Sequence, residues 1–360
     1  MANSFKTLLP EDVATTRTLL HEAIPITGTI VSGTYDDENI KYFAHGIFEA
    51  VYDYPYLSSS ANHIFDITAG YASGSALQDA NNTQDTKKIN IYNQMAQVLV
   101  GYDVTGAIQQ FDVDGNMGGG LKMTECFFIN FARLLTKDEI KKDSFRFDFY
   151  TDYPDDAPTE MPDLELRDAK KTIGDYGAQT EYLTNSPSGD YGLLYTSSAE
   201  PEDGGASVVG HVYYQAGIVV LTGSVIQGQA PTTSNEGAAV TDIGTGSADD
   251  IIVSGTINEI ANAIRFEYDN IDFNNTTELN STIYFCRANN TEFNYSSNPT
   301  YLSSSQIVVK GNNPMANPVS YVTTVGLYSP DNELLAVAKL SEPLKKSPSN
   351  ELTLRVRLDY

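Results

Sequence analysis

At 360 residues, 41% of them apolar, the chain is long enough for two or three domains and rich enough in apolar residues to bury a core. Its net charge of −25, with no basic stripe to offset it, argues against nucleic acid or an anionic membrane as a partner and fits solubility at high copy number. The 23 tyrosines, and short runs of Val, Ile, Thr, Tyr and Phe broken by Gly, Asn, Asp, Ser and Pro, favour short strands joined by many turns.

In chain order, Pro10 followed by Glu11 and Asp12 predicts the first turn of a helix that carries Val13, Leu19 and Leu20 and stops before Pro25. TGTIVSGTY, from Thr27 to Tyr35, reads as a strand. Val51 to Thr68 is dense in aromatic rings around a turn marked by Pro55 and Ser58 to Ser60, and those rings are expected in a core or a subunit contact. Ile89, Tyr92, Met95, Ala96 and Leu99 share one face of a helix that Gly101 ends. Beyond a turn at FDVDGNMGGG, the run KMTECFFINFARLL predicts a buried strand pair, or a strand followed by a short helix. TKDEIKKD is expected to be one helical turn. FRFDFYTDY alternates, with Phe145, Phe147 and Phe149 facing inward as on a half-buried strand.

Pro154 to Asp163 reads as a linker, Val208 to Ile226 as a hairpin and Gln227 to Asp250 as a polar loop. INEIANAIRFEY predicts a short helix and STIYFCRA a strand. The C-terminal part offers two strands around Ser329-Pro330-Asp331-Asn332, then ELTLRVRLDY with Leu352, Leu354, Val356 and Leu358 on one face. The expected fold is mainly β with a few short helices (α+β), in β-sandwich-like domains with long loops. Residues 1–153 would form an N-terminal arm and mixed α/β domain, 154–250 a β-rich middle region and 251–360 a C-terminal β-sandwich-like domain.

Chemistry-bearing patterns are sparse. The two cysteines, Cys126 and Cys286, lie among apolar residues as buried free thiols would, and two thiolates cannot make a four-ligand zinc site. His21, His45, His63 and His211 fall in no metal-binding spacing. There is no Gly-x-Ser-x-Gly elbow, and Gly118 to Gly120 lead into Leu121-Lys122-Met123 rather than a phosphate-binding lysine and threonine. Asp112, Asp114 and Asn116 alternate like Ca²⁺ ligands. Met117 and Met123 stand where a calcium loop has its glycine and final glutamate, so a turn is the expectation there and Ca²⁺ the lesser alternative. No catalytic, cofactor-binding or other metal site is expected. The opening MANSFKTLLPED lacks the marks of a signal peptide, and no run approaches the roughly 18 apolar residues of a membrane span.

Two groups of segments carry a resemblance. The first is HEAIPITGTIVSGTY with VYDYPYLSSSANHIFDIT and KKINIYNQMAQVLVGYD. The second is FNYSSNPTYL with YVTTVGLYSPDNELLAVAKLSEPLKK and ELTLRVRLDY. These resemble virion structural proteins of tailed marine phages, particularly contractile-tailed cyanophages. The likeness covers both ends and much of the first half, and leaves out Pro154 to Asp250. It implies a non-enzymatic subunit of the tail, neck or baseplate, assembled in the host cytoplasm and located in the virion. A capsid decoration or vertex protein and a carbohydrate-binding fibre protein are the alternatives.

The implied partners are other virion structural proteins and further copies in a ring, with no direct contact to nucleic acid or membrane. Head-to-tail contacts that close into rings, and strand edges that accept a neighbour's strand, suit such subunits. The residues expected at the contacts are Tyr52, Tyr54, Tyr56 and Phe65 in the aromatic segment, and Tyr321, Leu327, Tyr328, Leu334 and Leu335 in the C-terminal strand unit.

Overall fold

The computed structural model describes residues 5–27, 39–74, 82–150, 170–196, 208–223, 252, 255–295, 302–303, 306–307 and 317–360. Most of the Thr27–Tyr35 strand, the Pro154–Asp163 linker and the Gln227–Asp250 loop expected from the sequence lie outside them. The fold is mainly β with few short helices. In chain order the first elements are β1 (Val13–Thr27), β2 (Ile40–Tyr42), β3 (Glu49–Tyr52), β4 (His63–Tyr71), α1 (Asp85–Leu99), β5 (Phe111–Asp112), β6 (Lys122–Met123) and β7 (Glu125–Phe131). Then come α2 (Arg133–Thr136), β8 (Glu139–Ile140), β9 (Arg146–Tyr150), β10 (Lys170–Gly174), β11 (Tyr191–Tyr195), β12 (Val208–Tyr213), β13 (Ile218–Thr222) and α3 (Ile257–Glu267). The last are β14 (Tyr268–Ala288), β15 (Leu302–Ser303), β16 (Gln306–Ile307), β17 (Ser320–Tyr328), β18 (Leu334–Lys346) and β19 (Leu352–Asp359).

These elements form two compact units, unit 1 from Met1–Leu19 and Glu278–Tyr360, and unit 2 from Leu20–Thr277. The three consecutive domains expected from composition give way to this division. Lys170 of β10 pairs with Tyr150 of β9, so the acidic segment between them joins neighbouring strands of one sheet rather than two domains. Likewise β14 returns to pair with β9, on the far side of the second expected boundary.

Unit 2 is an antiparallel sheet in the order β2-β3-β4-β7-β13-β12-β11-β10-β9-β14. Alternation along β7 sends Phe127, Ile129 and Phe131 into one core and Cys126 and Phe128 into another. In the first core the Phe131 ring lies 5.1 Å from Phe273 of β14 and 6.1 Å from Phe145, and Phe65 of β4 lies 6.4 Å from Tyr268. Since β13, β12, β11 and β10 intervene between β7 and β9, these contacts require the sheet to curl over on itself in the manner of a sandwich. Ile260, Ala261 and Ile264 of α3 fill the same core.

The second core lies under α1, whose buried stripe is Lys88, Ile91, Tyr92, Ala96 and Leu99. Two polar ties fix the start of α3. Thr256 and Glu259 exchange side-chain bonds with each other's backbone N–H in a capping box. Lys88, wholly buried, donates to the carbonyls of Ile252 and Gly255, and burial lowers its pKa to about 8.

Two local expectations are corrected. Residues 13–20 are strand, not helix: the β-branched Thr15, Thr16 and Thr18 favour extended backbone, and Pro10–Asp12 make only a 3₁₀ turn ahead of β1. TKDEIKKD is not a helical turn. Lys137 takes φ +55° and ends α2, and Ile140 is wholly buried as β8 pairs with β14. The helices at Asp85–Leu99 and Ile257–Glu267, the hairpin β12–β13 and the inward phenylalanines of β9 stand where the sequence places them.

Close approach of α1 to β4 depends on Gly70. A methyl group there would sit 2.4 Å from the Lys88 carbonyl oxygen and 2.9 Å from the Tyr92 nitrogen, both on the backbone of α1. Gly70→Ala is expected to cost about 1–3 kcal/mol by forcing helix and strand apart. Urea unfolding measures this, and an unchanged midpoint would contradict the packing described.

Candidate assembly surface

Unit 1 is built differently. The C-terminal half of β14 pairs with β19 from Ser281↔Asp359 to Ala288↔Leu352, and β1 is the neighbour of β14 at the end of the sheet. Along β19, Val356 is buried and the three leucines are half-buried, whereas Thr353, Arg355 and Arg357 are exposed. Among the described residues the hairpin β17–β18 is a sheet of two strands. Its turn is closed by Ser329 N–H to the Glu333 carbonyl at 2.9 Å, with Asn332 at φ +66°.

Among the described residues of unit 1, only Ile283, Leu327 and Val356 are buried apolar side chains. Six buried polar residues outnumber them: Asp12, Ser281, Thr282, Ser320, Lys346 and Ser347. Polar ties hold the unit together. Asp12 pairs with Arg287 at 2.7 Å, Lys6 with Glu292 at 2.6 Å, and Lys346 Nζ donates to Asn294 Oδ1 at 2.7 Å. Such pairs offset the cost of burying or ordering their own polar groups and do not replace an apolar core. A two-stranded ribbon without a third strand is marginal in water, and here Leu327 is the one buried apolar side chain among its described residues.

The hairpin also faces solvent with its larger side chains. Tyr321 is 57% exposed, Leu335 67% and Val337 52%, and Tyr328 and Leu334 are exposed with them. On β1, residues 15–23 are exposed without a break, although their side chains alternate between the two faces. Both faces of that stretch are therefore open.

The residues expected at contacts are distributed unequally. Tyr321, Tyr328, Leu334 and Leu335 lie together on the hairpin, but Leu327 is buried on its other face. Tyr54 and Tyr56 are exposed in the turn between β3 and β4, and Tyr52 is half-buried with its ring 6.4 Å from that of Tyr56. Phe65 is corrected: it is wholly buried in the core of unit 2, where alternation along β4 directs it inward, and it offers nothing to a partner. The exposed run of β1 and Val337 were missed. Reading 13–20 as a helix hid the first, though its threonines were the available signal.

At the loop of the Ca²⁺ alternative, Asp112 Oδ1 is buried without a hydrogen-bond partner, while the remaining oxygens have neighbours. Asp112 pairs with Lys122, Asp114 accepts from the Asn116 backbone N–H at 3.1 Å, and Asn116 Oδ1 accepts from Gly118 N–H at 2.7 Å. Beside this loop lies His211 of β12, wholly buried, with its ring 5.3 Å from that of Tyr191. Tyr191 in turn donates from its hydroxyl to the Gly115 carbonyl at 3.0 Å and to Asn185 Oδ1 at 2.8 Å. Cys126 is buried and Cys286 half-buried, and both are free thiols.

Charge divides with the units. Unit 1 has nine Lys and Arg against nine Asp and Glu, so the whole net −25 resides in unit 2. Compared with protein-family models, curated proteins and solved structures, the chain matches none.

Burial pushes the His211 pKa down to about 4 from 6.5, because a charged imidazole would be stripped of water there. A depressed histidine contributes stability that is present above its unfolded value and lost as pH falls through its folded value. The stability gap between wild type and His211→Gln should therefore be constant above pH 6.5 and narrow as pH falls toward about 4. Denaturant unfolding across that window checks it. A gap independent of pH would mean the imidazole is not held neutral.

Proposed function

We propose that this chain is a non-enzymatic structural subunit of a tailed-phage particle, built into the tail, neck or baseplate through contacts between subunits. The observation that supports an assembly role is the make-up of unit 1. Its strands are long and their apolar side chains open to water, yet only three apolar residues are buried among its described residues. Such a unit gains its missing burial from a neighbour, as obligate subunit interfaces do. The phage assignment rests on the resemblance of the two terminal regions to virion structural proteins of contractile-tailed cyanophages. Much of that resemblance, from Tyr321 to Tyr360, falls on the strands of unit 1.

Immunogold labelling of intact virions with an antibody against the chain tests the proposal. Label is expected at the neck, tail or baseplate. Label spread over the capsid would replace this with a decoration protein, and particles without label would overturn the virion reading.

A further inference from the structure

We infer that the outer edge of β17 pairs with a second copy of this chain, making unit 1 a homotypic assembly module. The inference deepens the structural-subunit reading and rests on it, because it names the partner that covers unit 1.

Three observations carry it. The first is the distribution of edge protection in the hairpin. Native sheets blunt an exposed edge with charge, proline or a bulge. On β18 all three occur, as Lys339, Glu342, Pro343 and Lys345 beside a register shift opposite Val322 and Thr324. On β17, SYVTTVGLY contains no charge and no proline, and among the described residues no strand other than β18 pairs with it. One edge of the ribbon is guarded and the other is left ready to pair.

The second is charge. An uncharged edge on a unit with nine residues of each sign meets a copy of itself without net repulsion. Association through unit 2 would bring together two surfaces that each carry −25. A strongly basic partner would be drawn to unit 2, so electrostatics leaves the neutral unit for a like neighbour.

The third is the face that such pairing would extend. Tyr321, Val337 and Lys339 lie on the exposed side of the ribbon, with Tyr328 and Leu335 near its turn. Added strands would continue that face, so that tyrosine and aliphatic side chains of successive copies pack together while main-chain bonds set the register.

The test uses the purified full-length chain with no other virion protein present. Sedimentation velocity at rising concentration is expected to show self-association. Tyr321→Lys combined with Thr323→Lys places charge on exposed positions of the β17 edge and should abolish it, with far-UV circular dichroism unchanged. Val104→Lys, at a fully exposed position of unit 2, should leave it intact. A photoreactive benzoylphenylalanine at position 323 gives a reading that does not depend on the lysine variant folding: illumination should yield a covalent dimer of this chain.

A chain that stays monomeric at every concentration and yields no crosslinked dimer would overturn the inference. So would an oligomer that survives the lysine substitutions in a folded variant. Self-association through β17 together with particles that carry no label would leave this inference standing and sink the virion reading. Label on particles with a strictly monomeric chain would do the reverse.

Discussion

A β-strand is stable when its backbone edge is paired and at least one of its faces is covered, and unit 1 meets these conditions only in part. Along β17 one edge is paired, Tyr321 is exposed, and Tyr328 is covered only in part, by the ring of Phe5 at 4.5 Å. Along β1 the stretch from Thr15 to Leu19 has neither face covered. Ordering each residue costs about 1–2 kcal/mol of backbone entropy. Hydrogen bonds returning about 0.5–1.5 kcal/mol net do not outweigh that without apolar burial.

Unit 2 shows what the same kind of sequence does when it can complete itself. Its sheet curls until β4 and β7 face β9 and β14, so that Phe65, Phe131, Phe145, Phe147 and Phe273 share one core. Helix α1 seals the opposite face through the contact at Gly70, and α3 is fixed by Lys88 and by its own capping box. A unit with its faces so filled can carry the entire negative charge of the chain as a solvating surface. Self-sufficiency and charge therefore go together in unit 2, as incompleteness and neutrality do in unit 1.

The sequence made elements legible where one periodicity dominated. Phe145, Phe147 and Phe149 announced β9, the stripe through Tyr92, Ala96 and Leu99 announced α1, and the alternating leucines announced β19. It was less informative where periodicity was absent. β1 is exposed on both faces, so no apolar alternation marks it, and Pro10 with two acids imitated a helix start. Only the last eight residues of β14 were read as strand, since FNNTTELN lacks the usual strand composition and is held by pairing to β8 at Asn275 and Thr276. The unit boundary falls inside that strand, between Thr277 and Glu278, and composition carries no trace of it. Of the expected contact residues, Tyr54, Tyr56, Tyr321, Tyr328, Leu334 and Leu335 are exposed, Tyr52 is half-buried, and Leu327 and Phe65 are buried, because neither an aromatic-rich nor an alternating segment reveals by itself which side chains its strand directs inward.

The most direct test of the dependence of unit 1 on a neighbour is amide hydrogen exchange, resolved by segment, on the purified chain at low and high concentration. Local stability sets protection, so amides of β4, β7, β12 and β13 should exchange slowly at both. Amides of β17 and β18 should exchange quickly in the dilute chain and become protected as copies associate. If the dilute monomer already protects β17 and β18 as well as it protects β7, unit 1 is complete without a partner, which contradicts its dependence on a neighbour.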